Sequence, residues 1–306
     1  MDIQDRYRGA LLGLACGDAV GTTVEFSPRG SFTPLSDMVG GGPFGLKAGQ
    51  WTDDTSMAMC LAESLVRCGG FDARDQMNRY ANWYQHGYWS STGTCFDIGN
   101  ATRGALHTFL VTGEPLAGSD DPNSAGNGSI MRLAPVVLRY LDAPDMLEMA
   151  VLSSRTTHAA VECLDACRLF ATVLARALHG HGKDDVLNLE TVDVSGEGLR
   201  GIAEGRYRSK SRDQIHGTGY VVHSLEAALW CFANTYSFSD AVLAAANLGD
   251  DADTTAAVVG QVAGAFYSVS GMPAHWLERL HQRADIEQLA DALHAAALAQ
   301  RAIQAR

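Results

Sequence analysis

The sequence predicts a compact, nearly all-α fold. Three observations predict it: alanine is abundant while β-branched runs are scarce, apolar residues recur at helical spacing, and convincing strands are few. With 306 residues, 46% hydrophobic and 19% charged, the chain can bury a large core, and a single domain over 1–306 is the simplest architecture.

The elements follow in order. Residues 5–21 read as a helix in which Gly9, Gly13, Gly17 and Gly21 recur every four positions, so one face is nearly bare backbone. Glycine costs about 1 kcal/mol per helical position. That cost suits a face that another helix or a ligand must approach closely. Residues 26–51, with Pro28, Pro34, Pro43 and Gly40-Gly41-Gly42, form a long irregular segment. Helix resumes near Asp54, with Met57, Leu61 and Leu65 on one face and Gly69-Gly70 as the stop. Further helices are expected near 74–87, 97–110, 131–141, 144–152, 158–179, 220–234, 239–247, 254–269, 274–283 and 286–302. Residues 112–129 make a second long loop. Residues 181–218 are polar, and their Arg206, Arg208, Lys210 and Arg212 read as a solvated face.

Composition narrows the partners. A net charge of -12 argues against non-specific nucleic-acid or anionic-membrane binding, and no apolar run approaches a membrane span. The N-terminal residues lack a signal-peptide pattern. The seven cysteines, an odd number without CxxC spacing, read as reduced core residues of a cytoplasmic protein.

Two acidic clusters carry the chemistry. Trp51-Thr52-Asp53-Asp54-Thr55 and Gly249-Asp250-Asp251-Ala252-Asp253-Thr254 each set carboxylates beside a hydroxyl at the head of an apolar helix. Capping explains either alone, with Thr52 a candidate N-cap. The same polar recipe twice points instead to oxygen ligands for hard divalent cations, provided the clusters meet. Gly260 and Gly264 would let the second helix pack against the glycine face of 9–21. Asp18, alone in an apolar helix, is suited to bonding a neighbouring helix end. Glu25 is a surface residue, a gate, or a base for an activated water. Gly126-Asn127-Gly128-Ser129-Ile130-Met131-Arg132 offers a phosphate cradle or a glycine-rich N-cap. His158 reads as a satisfied structural histidine or a catalyst, Asp97 as a helix cap, and Tyr220 as a ring that stacks on a base or is simply buried.

Together these motifs, in this order and spacing from about residue 6 to 270, resemble the ADP-ribosylglycohydrolase family, most closely its bacterial dinitrogenase-reductase-activating branch. The resemblance implies an orthogonal all-α fold with two Mg²⁺ or Mn²⁺ ions. It implies Thr52, Asp53, Asp54, Asp251, Asp253 and Thr254 as metal ligands. Asn127, Gly128 and Ser129 would hold the phosphates of ADP-ribose, with Met131 in the same motif. His158 and Tyr220 would lie near the diphosphate and adenosine. Glu25 would be a mobile carboxylate near the metals, and Asp97 would meet the guanidinium of a modified arginine. A carboxylate is the natural bidentate partner of that group.

The implied reaction is metal-dependent hydrolysis of the N-glycosidic bond in an ADP-ribosylated protein, releasing ADP-ribose, by a monomer with Glu25, Asp97 and Asp251 as catalytic residues. Serine-linked ADP-ribose, poly-ADP-ribose or O-acetyl-ADP-ribose are the rival substrates. A non-catalytic ADP-ribose-binding module is the rival role. One departure stands out: the family's second cluster begins Gly-Gly-Asp, whereas Asp250 stands here for the second glycine. Its carboxylate either faces solvent or adjusts the metal site.

Overall fold

The computed structural model describes residues 2–304. Among them the regular structure is helical, with isolated bridges and no strand ladder. The helices are α1 (Ile3–Gly21), α2 (Asp53–Arg67), α3 (Ala73–His86), α4 (Asn100–Thr112), α5 (Ala134–Tyr140), α6 (Met146–Arg155), α7 (Val161–Leu178), α8 (Lys183–Val186), α9 (Glu197–Ala203), α10 (Val221–Ala233), α11 (Phe238–Ala246), α12 (Ala252–Tyr267), α13 (Ala274–Arg279) and α14 (Arg283–Gln304). No helix among the described residues is long and apolar enough to cross a membrane.

The centre of the fold is the pair α1 and α12, both buried along nearly their whole length. Their backbones touch through the glycine faces. A Cβ on Gly9 would stand 2.2 Å from the Gly264 carbonyl oxygen, and one on Gly13 would stand 2.2 Å from that of Gly260. At Gly17 and Gly21 the same construction meets the carbonyls of Ala256 at 2.1 Å and Ala252 at 2.4 Å. No side chain fits at those distances, so the four-residue spacing is a packing requirement. It also brings the C-terminal end of α1, with Asp18 and Glu25 nearby, against the head of α12.

The remaining helices wrap this pair: α2, α11 and α14 pack on α1, while α7, α10 and α11 pack on α12. The Arg6 guanidinium donates to the carbonyls of Ala177, Ala265 and Phe266, tying the last turns of α7 and α12 together. All seven cysteines are free thiols, five of them buried.

The expected boundaries shift at informative places. The segment 181–218 holds two short helices, α8 and α9, which sequence polarity concealed. Its basic cluster is a solvated ion-pair surface: Arg206 meets Glu197 and Glu204, and Lys210 meets Glu226. The helix expected from 97 begins at Asn100, because Asp97 adopts φ +59°. The helix expected from 131 begins at Ala134, with a turn over 127–132 before it.

Candidate active site and metal centre

α2 and α12 present their N-termini to one another at the floor of a cleft of about 1260 Å³. Thr52 does not cap α2 with its own side chain. Asp18 does so from α1: it accepts from the Thr52 amide at 2.8 Å, the Thr52 hydroxyl at 2.9 Å, the Thr55 amide at 3.0 Å and the Thr55 hydroxyl at 2.6 Å. Glu25 does the same for α12, its Oε2 accepting from the amides of Ala252 at 2.7 Å and Asp253 at 3.2 Å. Each acidic helix head is thus capped by a carboxylate from the α1 side. Glu25, expected as a mobile group, is buried against α12 in this structure.

The two clusters meet. Thr52 Oγ1 lies 3.1 Å from Asp253 Oδ2, 2.9 Å from Asp18 Oδ1 and 3.3 Å from Asp54 Oδ2. One hydroxyl proton serves one of these acceptors at a time. Carboxylate oxygens of Asp18, Asp54 and Asp253 lie within 4.8 Å of one another, as do those of Glu25, Asp251 and Asp253. Asp253 belongs to both groups.

Burial and mutual repulsion push these acids towards the neutral form. Burial raises Asp251 to about 7 and Asp253 to about 8, with neighbouring aspartates adding to the shift. Asp53 and Asp54 are raised well above the usual range for the same reasons. Burial also lifts Asp18 and Asp97 to about 6. Asp54 Oδ1 is buried without a hydrogen-bond partner. An all-oxygen donor set with excess negative charge and an orphaned acceptor fits hard divalent cations.

Above the floor, Asp53, Asp97, Asp251, Asp253 and Thr254 line the cleft with Glu25. Asn127 donates to Asp251 Oδ2 at 2.7 Å and to Ser224 Oγ at 3.1 Å, so its amide orients a carboxylate of the second cluster. Gly128 and Met131 line the wall, while Ser129 is buried beside Cys167, off the cleft. The cradle does not sit on a helix N-terminus. It is a turn pinned by Gln261 of α12, whose side chain donates to the carbonyls of Ile130 and Met131 and accepts from the Ala134 amide.

His158 closes this wall. Its Nδ1 lies 2.8 Å from Thr157 Oγ1, which accepts from Arg132 at 2.6 Å. With the Thr157 hydroxyl donating to Nδ1, the neutral ring carries its proton on Nε2, beside Gly126 and Gly128. Burial, reinforced by Arg132, lowers His158 to about 3, so the ring is neutral. Arg132 is itself buried, donating to the Gly128 carbonyl and lying 4.8 Å from the Tyr80 ring centroid. Tyr220, partly exposed at the rim, donates its hydroxyl to Glu162 at 2.8 Å.

The sequence reading assigned no role to Thr157, Gln261 or Glu162. Gln261 carried a usable signal, as a polar side chain inside an otherwise apolar, glycine- and alanine-rich helix. Asp250 takes φ +60° and is exposed at the cleft rim. That conformation favours glycine, and aspartate is among the residues that tolerate it.

The family model for ADP-ribosylglycohydrolase matches residues 1–302. The chain belongs to the ADP-ribosylglycohydrolase family. It is a glycohydrolase with the family's all-α architecture. It is 51% identical to the ADP-ribosylarginine hydrolase Tri1 of Pseudomonas putida (strain GB-1), over 94% of this chain and 78% of that protein. It is 33% identical to the ADP-ribosyl-[dinitrogen reductase] glycohydrolase of Rhodospirillum rubrum, over 96% of this chain and 97% of that protein. A solved structure titled ADP-ribosylglycohydrolase-related protein complex superposes with a TM-score of 0.87 at 45% identity, covering 97% of this chain and 99% of that chain.

Proposed function

We propose that this ADP-ribosylglycohydrolase, a single domain over 1–306, removes ADP-ribose from modified protein arginine by hydrolysing the N-glycosidic bond. The observation that carries the reading is Asp253, shared by two carboxylate groups beneath a cleft whose wall also carries Asp97. The names of the Tri1 relatives support the arginine linkage.

Thr52, Asp53, Asp54, Asp251, Asp253 and Thr254 would hold two divalent cations, Mg²⁺ or Mn²⁺. Such ions, when bound, supply Lewis acidity and neutralise the crowded carboxylates. The protein's own groups do the rest. Gly128 offers its backbone N–H group and His158 offers Nε2–H to the diphosphate, with Arg132 adding positive potential behind them. A neutral histidine donor holds its role across the physiological range. Tyr220 and Glu162 bound the adenosine end.

In the reaction, water adds at ribose C1″ as the C–N bond breaks through an oxocarbenium-like transition state. The departing guanidine takes up a proton and leaves as guanidinium, which pairs with Asp97. Glu25 stands beside Asp251 and Asp253, placed to exchange a proton with the attacking water.

The test is release of ADP-ribose from an ADP-ribosylarginine substrate with Mg²⁺, with Mn²⁺ and with chelator, for wild type and Asp251→Ala. Metal-dependent release that the substitution abolishes is the expected result. Tight ADP-ribose binding with no release under either metal would overturn the arginine assignment, and would favour serine-linked substrates or a binding role.

A further inference from the structure

One aromatic at the cleft mouth is placed against its own physical preferences. Phe26 follows Glu25 directly, lines the cleft, and is 65% exposed. Its backbone sits at φ +62°, a conformation that bulky residues rarely adopt and that costs on the order of 1 kcal/mol or more. A reciprocal clip holds it there: the Phe26 amide donates to the Asp250 carbonyl at 2.8 Å, and the Asp250 amide donates to the Ser27 carbonyl at 2.9 Å. Asp250 is itself at φ +60°. Neither burial of the ring nor relief of strain explains why phenylalanine stands there.

The ring does not stand alone. Phe44 packs on it edge-on at 6.1 Å, and Phe96 packs on Phe44 at 5.1 Å. Phe96 directly precedes Asp97. An aromatic row therefore links the residue after Glu25 to the residue before Asp97, with Phe26 its member in the cleft lining.

Given the arginine-hydrolase reading above, on which this inference rests, we propose that Phe26 is a specificity-determining residue that stacks on the guanidinium of the modified arginine. A guanidinium is flat, cationic and weakly hydrated, and it binds best between an aromatic face and a carboxylate. Phe26 supplies the face and Asp97 the carboxylate. A serine linkage presents neither a plane nor a charge, so the same ring gives it no comparable advantage.

The experiment compares wild type, Phe26→Ala, Phe26→Gly and Phe26→Tyr, each loaded with Mg²⁺. It measures kcat/KM on ADP-ribosylarginine and the inhibition constant of ADP-ribose, which lacks the guanidinium. The Ala and Gly variants should lose about five- to twenty-fold in kcat/KM, chiefly through KM, while ADP-ribose inhibition changes less than twofold. The Tyr variant should stay near wild type. The Gly variant should melt no lower than wild type, since glycine accepts the left-handed backbone, so its loss cannot be assigned to unfolding. Wild-type kcat/KM in the Ala and Gly variants, or an equal weakening of ADP-ribose inhibition, overturns the proposal. A wild type that releases nothing from ADP-ribosylarginine overturns the arginine reading and this proposal together. A wild type that turns it over with the variants unaffected overturns this proposal alone.

Discussion

Thr52 Oγ1 and Asp253 Oδ2 lie 3.1 Å apart although 201 residues separate them in the chain. This contact joins the two acidic helix heads at Asp253, the residue common to both carboxylate groups. Asp253→Asn should therefore reduce ADP-ribose release by at least about a hundredfold. The same substitution should raise the melting temperature of the metal-free protein at pH 8, because it removes a repelling charge. Scanning calorimetry in chelator checks the second outcome. A melting temperature that falls instead would mean that Asp253 contributes more through its hydrogen bonds than it costs through repulsion.

Metal and pH are coupled at this site. Asp251 and Asp253 titrate near 7 and 8 when folded, chiefly through burial, against about 4 when unfolded. Folded values above unfolded ones give stability that is present below about pH 4 and is lost as pH rises through 7 to 8. The metal-free protein should therefore lose stability between pH 5 and pH 8. Added Mg²⁺ or Mn²⁺ should restore it, by about 2.7 kcal/mol at a hundredfold excess over Kd. Thermal melts at pH 5.5 and 8, with and without cation, read this directly: the cation-induced increment should be larger at pH 8.

His158 carries the opposite sign. Burial lowers it to about 3, below the unfolded value near 6.5, so its contribution is present above pH 6.5 and lost as pH falls towards 3. His158→Gln, which keeps a neutral side chain, should show a shallower loss of stability between pH 6.5 and 4 than wild type. The comparison is made by denaturant melts across that range.

Asp18 touches no solvent and accepts four hydrogen bonds at the head of α2. Asp18→Ala should cost about 2–4 kcal/mol and weaken divalent-cation binding at least about tenfold. Asp18→Asn should retain part of both. Urea melts and cation titration separate the two effects, and unchanged cation affinity in the Ala variant would confine Asp18 to capping.

Two glycines in helices should respond with opposite signs. A Cβ at Gly13 would sit 2.2 Å from a backbone oxygen of α12, so Gly13→Ala should destabilise by several kcal/mol or prevent folding. A Cβ at Gly104 in α4 would meet nothing within 4 Å, so Gly104→Ala should stabilise by about 0.5–1 kcal/mol. Melting temperatures of the two purified variants decide it.

Much of this arrangement was readable along the chain because its causes are local. Helical periodicity shows where apolar faces lie, and the four-residue glycine spacing showed that a backbone must approach. Carboxylates beside a hydroxyl, twice at the head of an apolar helix, showed two halves of one oxygen-rich site. The errors share a cause as well. Thr52 looked like an N-cap because capping residues are usually local. The cap came from Asp18, 34 positions away. Residues 131–133 looked helical because the partner that pins them in a turn, Gln261, lies on α12.

The sequence by itself therefore determined the long helices and the close-packed glycine face, since each depends on neighbours within a few turns. Tertiary structure alone decided which carboxylate caps which helix, that Asp253 is shared, that Asn127 orients Asp251, and that Phe26 stands exposed in the cleft lining. Those are distances between residues remote in the chain, and they exist only once α1 and α12 have packed backbone against backbone.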